Sequence, residues 1–225
     1  MELLELLSEN PIFSSLGSQD REVLGKLAIT QKYKKGEWIT HNGDLWPYLF
    51  WVEKGKVIAL KESGEGRSLI ANTINAREIF WGLAFFEEGE PMPVALVAEQ
   101  DSQICMWSRD ELLPFLFENG KMSWELSRQM ILRMQQASDV VESLAFQPVQ
   151  GRLASLLLNR YSGNGENTPV ARDMTLDQMA SHIGSTREMV CRVLYKFADQ
   201  GVIKIDRTEF LISDKNMLEN IAHRD

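Results

Sequence analysis

The chain has 225 residues, of which 44% are hydrophobic and 25% charged, and its formal net charge is −8. This composition is typical of an ordinary folded protein and excludes a disordered chain. Two cysteines are too few for a disulfide framework, and no apolar run approaches the roughly 20 residues of a membrane span. Because the acidic start MELLELLSEN also differs from a signal peptide, we expect a cytoplasmic protein without a membrane partner.

The negative charge is confined to the first two thirds of the chain. Residues 151–225 contain ten Lys or Arg and ten Asp or Glu, so the net charge of −8 belongs to residues 1–150. A nucleic-acid surface in the C-terminal third therefore has to depend on a local arrangement of basic side chains, since the segment as a whole does not attract phosphates.

The N-terminal half changes from helical to strand-like patterns. Residues 1–30 carry apolar side chains at helical spacing, which predicts short helices. In residues 31–107, short segments rich in β-branched and aromatic residues alternate with Gly-containing turns such as KKGE, HNGD and ESGEG. Evenly spaced short strands of this kind predict a sandwich or jelly roll. Residues 109–117 predict a short helix that Pro114 kinks or interrupts.

A long helix is predicted over residues 121–146, which contain neither Gly nor Pro. Apolar residues recur on it at heptad spacing, as in a coiled-coil seam. Either two copies of the chain pair along this seam, or the helix packs along its own domain. Arg133 lies in one heptad row, and we expect it at the margin of the seam or paired across it, because a buried unpaired charge is destabilising. Pro148 ends the helix and marks a domain boundary and hinge.

Residues 174–206 predict a helix, a tight turn, a second helix and a strand. Thr175 with Gln178 forms a predicted capping box, Gly184 supplies the turn, and Ser185 with Glu188 predicts a second capping box. Two short amphipathic helices joined by a Gly turn are typical of a helix-turn-helix, whose second helix lies in the DNA major groove. The alternating residues 202–212 then predict a two-stranded wing.

The second helix, expected at about residues 185–197, exposes Arg187, Glu188 and Arg192 on one face. Arginine can donate two hydrogen bonds to guanine O6 and N7, and glutamate can accept one from cytosine N4. We therefore expect these three side chains to read bases. The neighbouring phosphate contacts are expected from Ser185, Thr186 and Lys196. An ordinary charged helix face is the alternative, but it leaves the agreement of turn, caps, apolar stripe and wing without a reason.

The sequence resembles the cyclic-AMP receptor protein family of bacterial transcription regulators (CRP/FNR). The resemblance rests on SLAFQPVQGRLASLLLNRY at residues 143–161, STREMVCRVL at 185–194 and ADQGVI at 198–203. It implies an α+β fold in three parts: a jelly-roll-like β-roll sensor domain at 1–119, a long dimerisation helix and hinge at 120–147, and a winged helix-turn-helix DNA-binding domain at 148–225.

The same resemblance implies the partners of the protein. They are double-stranded DNA with a half-site similar to TGTGA, a second copy of the chain, and RNA polymerase. The implied homodimer would pair in parallel through these residues of the long helix: Leu126, Met130, Met134, Ala137, Val141 and Leu144.

The sensor region departs from the cyclic-nucleotide pattern of the family, in which a Gly-Glu-Leu turn binds the ribose and an Arg-Ser pair binds the phosphate. Here Trp81, Gly82 and Leu83 stand at the turn, and Met92 with Pro93 at the pair. Losing the arginine alone removes a charge-assisted contact of about 1.5–3 kcal/mol. We therefore expect no binding of cyclic AMP in the usual mode of the family.

On the long helix, Ala137 replaces a hydroxyl residue that meets the purine in the family, whereas Ser138 beside it is retained. Three interpretations of the sensor stay open. An apolar or aromatic effector occupies a pocket formed by residues 81–83, 92, 93, 137 and 138; the aromatic residues only fill the core of the roll; or the protein is active without a ligand.

Other chemistries are disfavoured by the residue inventory. An iron–sulfur cluster needs about four cysteine ligands, and a haem would have only His41 and Cys105 as His or Cys ligands in the roll. A cupin-like metal enzyme needs several histidines in the roll, which contains His41 alone. We therefore expect no cofactor, no metal and no catalytic residue. A sensor that acts only through protein contacts remains the other alternative, but it does not explain the face formed by Arg187, Glu188 and Arg192.

Overall fold

A computed structural model describes residues 3–64, 67–162, 168–206 and 208–223 of the protein. The chain divides into two compact units, the first comprising residues 1–61 and 71–137, the second 62–70 and 138–225. No helix in the described part of the chain is both long enough and apolar enough to cross a membrane.

The first unit is built around two antiparallel sheets. Helices α1 (Leu3–Glu9) and α2 (Ser18–Leu27) precede them. The strands are β1 (Ile29–Tyr33), β2 (Trp38–Thr40), β3 (Tyr48–Lys54), β4 (Lys56–Glu62), β5 (Ser68–Asn75), β6 (Ile79–Trp81), β7 (Ala95–Ala98) and β8 (Ser102–Ser108). They form sheets of order β1-β8-β3-β6 and β2-β7-β4-β5, with the short helix α3 (Leu83–Phe86) between β6 and β7. The expected jelly-roll-like β-roll is confirmed.

The strand patterns follow from their places in the sheets. β4 alternates buried and partly exposed side chains, because only one face of its sheet covers the core. β3 is almost continuously buried, since it lies between β8 and β6. Large side chains such as Trp51, Phe85 and Trp107 are buried against the helices, and Phe50 and Met92 are buried between the strands.

Two helices follow the roll. Ser108 caps α4 (Arg109–Glu118) in a capping box with Glu111. Pro114 lies inside α4 and does not interrupt it, although its nitrogen cannot donate the helical hydrogen bond to the carbonyl of Asp110. The next helix, α5 (Gly120–Phe146), is 27 residues long, as its sequence predicts.

The second unit contains the end of α5 and a small α/β domain. Its elements are α6 (Val149–Tyr161), β9 (Val170–Ala171), α7 (Leu176–Ile183), α8 (Arg187–Asp199), β10 (Ile203–Ile205), β11 (Glu209–Ile212) and α9 (Lys215–Ala222). The wing has three strands in the order β10-β11-β9, one more than predicted. The core is formed by α6, α7, α8, the wing and α9 around Leu157, Ile183 and Phe197.

The end of α5 is tied to this second unit by hydrogen bonds. Gln147 Nε2 donates to the carbonyl of Ala222 at 2.7 Å, and Arg152 Nη1 donates to the carbonyls of Ser143 and Gln147 at 3.3 and 2.5 Å. The two compact units divide inside α5, between residues 137 and 138, and the predicted hinge at Pro148 stays a prediction. The limits 1–119, 120–147 and 148–225 remain a prediction about independently folding parts.

Candidate nucleic-acid interface

The turn between α7 and α8 is fixed by capping and by one glycine. Thr175 Oγ1 accepts a hydrogen bond from the Gln178 amide at 3.2 Å, and Gln178 Oε1 accepts one from the Thr175 amide at 2.8 Å, which confirms the capping box. Gly184 ends α7 in the left-handed conformation, with φ 59° and ψ 49°. The positive φ favours glycine here, and a Cβ atom would in addition displace the side chain of Leu144, whose Cδ2 would lie 2.6 Å away.

Helix α8 begins at Arg187, because Thr186 is its cap: Thr186 Oγ1 accepts a hydrogen bond from the Met189 amide at 3.3 Å. The predicted capping box of Ser185 and Glu188 is therefore wrong, since Ser185 still belongs to the turn. Hydrogen bonds from its own backbone amide and from Thr186 hold the pKa of Glu188 below its usual value. The Glu188 carboxylate is thus ionised at neutral pH and able to accept a hydrogen bond.

One face of α8 is buried and the other is exposed. The buried side chains, all in the core of the second unit, are Val190, Val193, Leu194 and Phe197. The exposed side chains are Arg187, Glu188, Arg192, Tyr195 and Lys196, with Asp199 at the end of the helix. The structure therefore brings the predicted base-reading residues together on one accessible surface. Cys191, between the two faces, is a half-buried free cysteine.

Two exposed side chains beside this face were not predicted as part of it. Tyr195 is 66% exposed and lies one turn beyond Arg192. Its spacing of three residues from Arg192 is the sequence feature that could have placed it on this face. Asp177, on α7, accepts a hydrogen bond from Arg187 Nη1 at 3.3 Å. That contact depends on the turn geometry, which spacing along the sequence does not give.

The predicted phosphate-binding residues lie at the edges of the α8 face. Ser185 and Thr186 are half-buried at the start of the helix. Lys196 is exposed near its end, and its Nζ donates a hydrogen bond to Gln150 Oε1 at 3.0 Å. A backbone phosphate beside α6 would compete with Gln150 for this ammonium group.

In the β-roll, the predicted effector residues are split between the core and the surface. Gly82 is buried, and a Cβ atom there would lie 1.8 Å from the carbonyl oxygen of Trp46 and 3.4 Å from Met92 Sδ. Met92 itself is only 1% exposed. Trp81 is half-buried and stacks on Phe80 with ring centroids 5.7 Å apart. The remaining four residues, Leu83, Pro93, Ala137 and Ser138, are exposed.

Other large apolar side chains of the roll fill its core. Trp51, Phe85, Met92 and Val94 are all buried there. No group of three or more His, Cys, Asp or Glu side chains in the described residues could hold a metal ion.

Arg133 is paired inside its own chain, so neither a margin position nor a pair across a dimer is needed to neutralise it. Its Nη2 lies 3.1 Å from Glu78 Oε2 and donates to the carbonyl of Ile79 at the same distance. Its Nη1 donates to Asn72 Oδ1 at 3.1 Å and to Gln136 Oε1 at 2.9 Å. With 9% of its surface exposed, Arg133 joins α5 to β5 and β6.

The exposed apolar face of α5 coincides with the predicted seam only in part. Leu126 is 3% exposed and belongs to the core of the first unit, so it is not available to a second chain; Met130 also packs against that core. Ala137, Met134 and Val141 are exposed and Leu144 is half-buried. The exposed large side chains of α5 are Trp124, Ile131, Leu132, Met134, Val141 and Phe146. Met134 and Val141 of the predicted seam therefore lie on the exposed apolar face, in the row 127/134/141 beside the row 124/131/138/145.

Comparison with known proteins gives the family. Residues 30–119 match the family model of the cyclic nucleotide-binding domain, and residues 151–221 match that of the Crp-like helix-turn-helix domain. The chain belongs to the CRP/FNR family of transcription regulators. It is a DNA-binding regulator and not an enzyme.

Two curated relatives and one solved structure illustrate the extent of the likeness. The chain is 29% identical over 175 residues to the cAMP-activated global transcriptional regulator CRP of Salmonella typhimurium, covering 76% of this chain and 83% of that protein. It is 25% identical over 222 residues to a CRP-like cAMP-activated global transcriptional regulator of Mycobacterium tuberculosis, covering 97% and 99%. A crp/fnr family regulator from Eubacterium rectale has the same fold, with a TM-score of 0.82, 24% identity and coverage of 95% and 98%.

The two positions at which the sequence comparison expects the ribose- and phosphate-binding side chains carry no charged group. Position 82 offers no carboxylate, and any side chain there would collide with Trp46. Position 92 carries an uncharged, buried methionine in place of an arginine. Arg133, whose guanidinium lies over the Phe80 ring of the roll, already has Glu78 as its partner. A buried phosphate would thus lack the charge-assisted hydrogen bonds that compensate its desolvation.

Proposed function

We propose that the protein is a homodimeric transcription regulator that reads a pseudo-palindromic DNA site with helix α8 of each subunit. In this arrangement two α8 helices occupy successive major grooves, with half-sites roughly 34 Å apart. The observation that carries the proposal is the exposure of Arg187, Glu188 and Arg192 on one face of a helix whose opposite face is buried.

Each of the three side chains has a distinct role in the proposed readout. Arg187 and Arg192 each have a planar fork of donors that suits O6 and N7 of guanine. Glu188 is ionised and suits the N4 donor of cytosine. Together they favour G·C pairs in each half-site, in agreement with the TGTGA-like half-site implied by family resemblance.

Ser185, Thr186 and Lys196 are proposed to contact the DNA phosphates and so to set the register of α8 in the groove. Residues 151–225 carry equal numbers of basic and acidic groups, so general attraction to phosphate is weak. The proposal therefore requires base contacts to supply a large share of the affinity for the preferred site.

The proposed dimer is formed by the exposed rows of α5, with Trp124, Ile131, Met134 and Val141 facing a second copy of the chain. These side chains are between 52% and 67% exposed. Heptad-spaced apolar side chains on one helix match the pattern of a parallel coiled coil. A second copy would remove them from water, and the same symmetry would place two α8 helices on one duplex.

We propose that the signal sensed by the roll is not a cyclic nucleotide: a different molecule acts there, or the protein is active unliganded. RNA polymerase is the proposed protein partner, by resemblance to the family, and the cytoplasm the proposed location. Isothermal titration calorimetry with cyclic AMP should give no binding heat. Saturable binding of cyclic AMP would contradict this part of the proposal.

The proposal as a whole is tested by selecting bound duplexes from a random pool with the purified full-length protein. The expected outcome is a two-fold symmetric motif whose half-sites are separated by about one helical turn, 10–10.5 base pairs. Retention of duplexes without a common motif would contradict sequence-specific recognition. A single unpaired motif would contradict the dimeric arrangement.

A further inference from the structure

The ion pair between Asp177 and Arg187 crosses the turn of the helix-turn-helix. Asp177 is the second residue of α7 and Arg187 the first of α8, and Asp177 Oδ2 lies 3.3 Å from Arg187 Nη1. The caps at Thr175 and Thr186 and the left-handed Gly184 fix the two helix ends that carry these side chains. The pair is therefore a product of the recognition motif itself.

Stability of the fold is a poor explanation for this pair. The side chains of Asp177 and Arg187 are 67% and 61% exposed, and ion pairs at such exposure contribute little to folding. The capping box of Thr175 and Gln178 already provides hydrogen-bond acceptors for two backbone amides at the start of α7. What distinguishes Asp177 is its partner, the first side chain of the base-reading face.

The pair leaves part of the guanidinium free for a guanine. An arginine side chain has five N–H donors in a planar fork. Asp177 takes up Nη1, and within the described residues no second acceptor bonds to Arg187. Nε and Nη2 thus form a free edge with two parallel donors, the geometry that O6 and N7 of guanine require. Asp177 restricts the rotation of the long side chain, which would otherwise lose freedom on binding DNA.

The charge of Asp177 has a second effect, which is to lower the affinity for DNA of any sequence. The first helix of a helix-turn-helix crosses the DNA backbone, so in the proposed complex the carboxylate at the start of α7 would approach the phosphates. Repulsion between like charges weakens binding to any sequence alike. At the correct sequence, the oriented Arg187 gains a bidentate contact that compensates this repulsion.

We propose that Asp177 is a specificity-determining residue: it orients Arg187 toward guanine and reduces binding to unrelated DNA. This inference rests on the proposed function, because it assumes that Arg187 reads a base. Its distinctive consequence is that Asp177 controls the ratio between affinities for correct and incorrect duplexes, and does so only when Arg187 is present.

The test uses the full-length protein and the duplex recovered from the random pool. Fluorescence anisotropy gives Kd for that duplex and for one in which the G·C pair assigned to Arg187 is replaced by A·T in each half-site. The assignment comes from the Arg187→Ala variant, which loses its preference at that pair. In the wild type the ratio of the two Kd values measures the preference.

Asp177→Ala should lower this ratio about tenfold, a part of the discrimination that a bidentate contact provides. Asp177→Asn, which keeps one acceptor oxygen without the charge, should give an intermediate ratio and keeps the test valid if the alanine variant fails to fold. In the Arg187→Ala background, Asp177→Ala should leave the ratio unchanged. Asp199→Ala, which removes an exposed carboxylate at the other end of α8, is the matched control and should leave the ratio at the wild-type value.

An unchanged ratio in folded Asp177→Ala and Asp177→Asn would overturn the inference while leaving the proposed function intact. A ratio that still changes when Asp177→Ala is added to Arg187→Ala would also overturn it, since the effect would not pass through Arg187. Failure of the proposed function looks different, because the wild type itself would then show no preferred duplex, and the inference would fall with it.

Discussion

Arg152 Nε donates a hydrogen bond of 2.8 Å to the carbonyl oxygen of Ile183, the last residue of α7. The Nη1 atom of the same guanidinium donates to the carbonyls of Ser143 and Gln147 at the end of α5. The last carbonyls of a helix have no partner inside the helix and interact favourably with a cation. One side chain of α6 thus joins the ends of two helices within the second unit, immediately before the Gly184 turn.

Replacing Arg152 by methionine should destabilise the second unit by about 1.5–3 kcal/mol, because charge-assisted hydrogen bonds to three carbonyls are lost. Arg152→Lys should recover part of this loss, since it retains the charge but not the planar fork. Denaturant unfolding followed by circular dichroism measures the difference. Equal stability of the methionine variant and the wild type would show that water replaces Arg152 at these carbonyls.

Gly82→Ala should destabilise the β-roll by about 1–3 kcal/mol, the typical cost of overpacking a close contact. The added Cβ would lie 1.8 Å from the carbonyl oxygen of Trp46, and backbone yields less readily than the end of a side chain. Gly64→Ala is the control, because a Cβ there meets nothing within 4 Å. Thermal unfolding compares the two variants, and equal Tm values would contradict the close approach of residues 46 and 82.

Met134→Lys should raise the dissociation constant of the dimer at least tenfold, which corresponds to about 1.4 kcal/mol. In the proposed dimer this position is buried against a second chain, where an unpaired ammonium group is costly. Analytical ultracentrifugation measures the shift. Gln19→Lys adds the same charge on the exposed surface of α2 and should have no effect. A dimer that tolerates Met134→Lys unchanged would place the interface elsewhere.

How far the sequence specifies this molecule depends on the range of the interactions involved. Thr175, Gln178 and Gly184 act within one helical turn, so the helix-turn-helix was predictable from spacing and capping chemistry. Heptad spacing likewise predicted α5, but it could not show which rows face the roll. Leu126 and Arg133 are held by residues far away in sequence, in the core of the first unit and in the β5–β6 region, and no periodicity reveals such partners.

The same limit applies at the candidate interface. Ser185 and Thr186 are both good helix caps, and the choice between them depends on where the turn after Gly184 ends. Strand β9 is only two residues long and forms by pairing with β11, so it carries no signal of its own. The contact of Asp177 with Arg187 joins residues ten positions apart, and only the folded turn brings them together.

The central claim, that α8 reads bases through its exposed face, is tested most directly by the Arg187→Ala variant on a panel of single-base-pair substitutions of the selected duplex. Loss of one bidentate contact should cost about 1–3 kcal/mol on the preferred duplex and abolish the preference at one base pair in each half-site, leaving the preferences at other positions in place. A uniform loss of affinity across the whole panel would contradict the claim, because it would show that Arg187 holds only the DNA backbone.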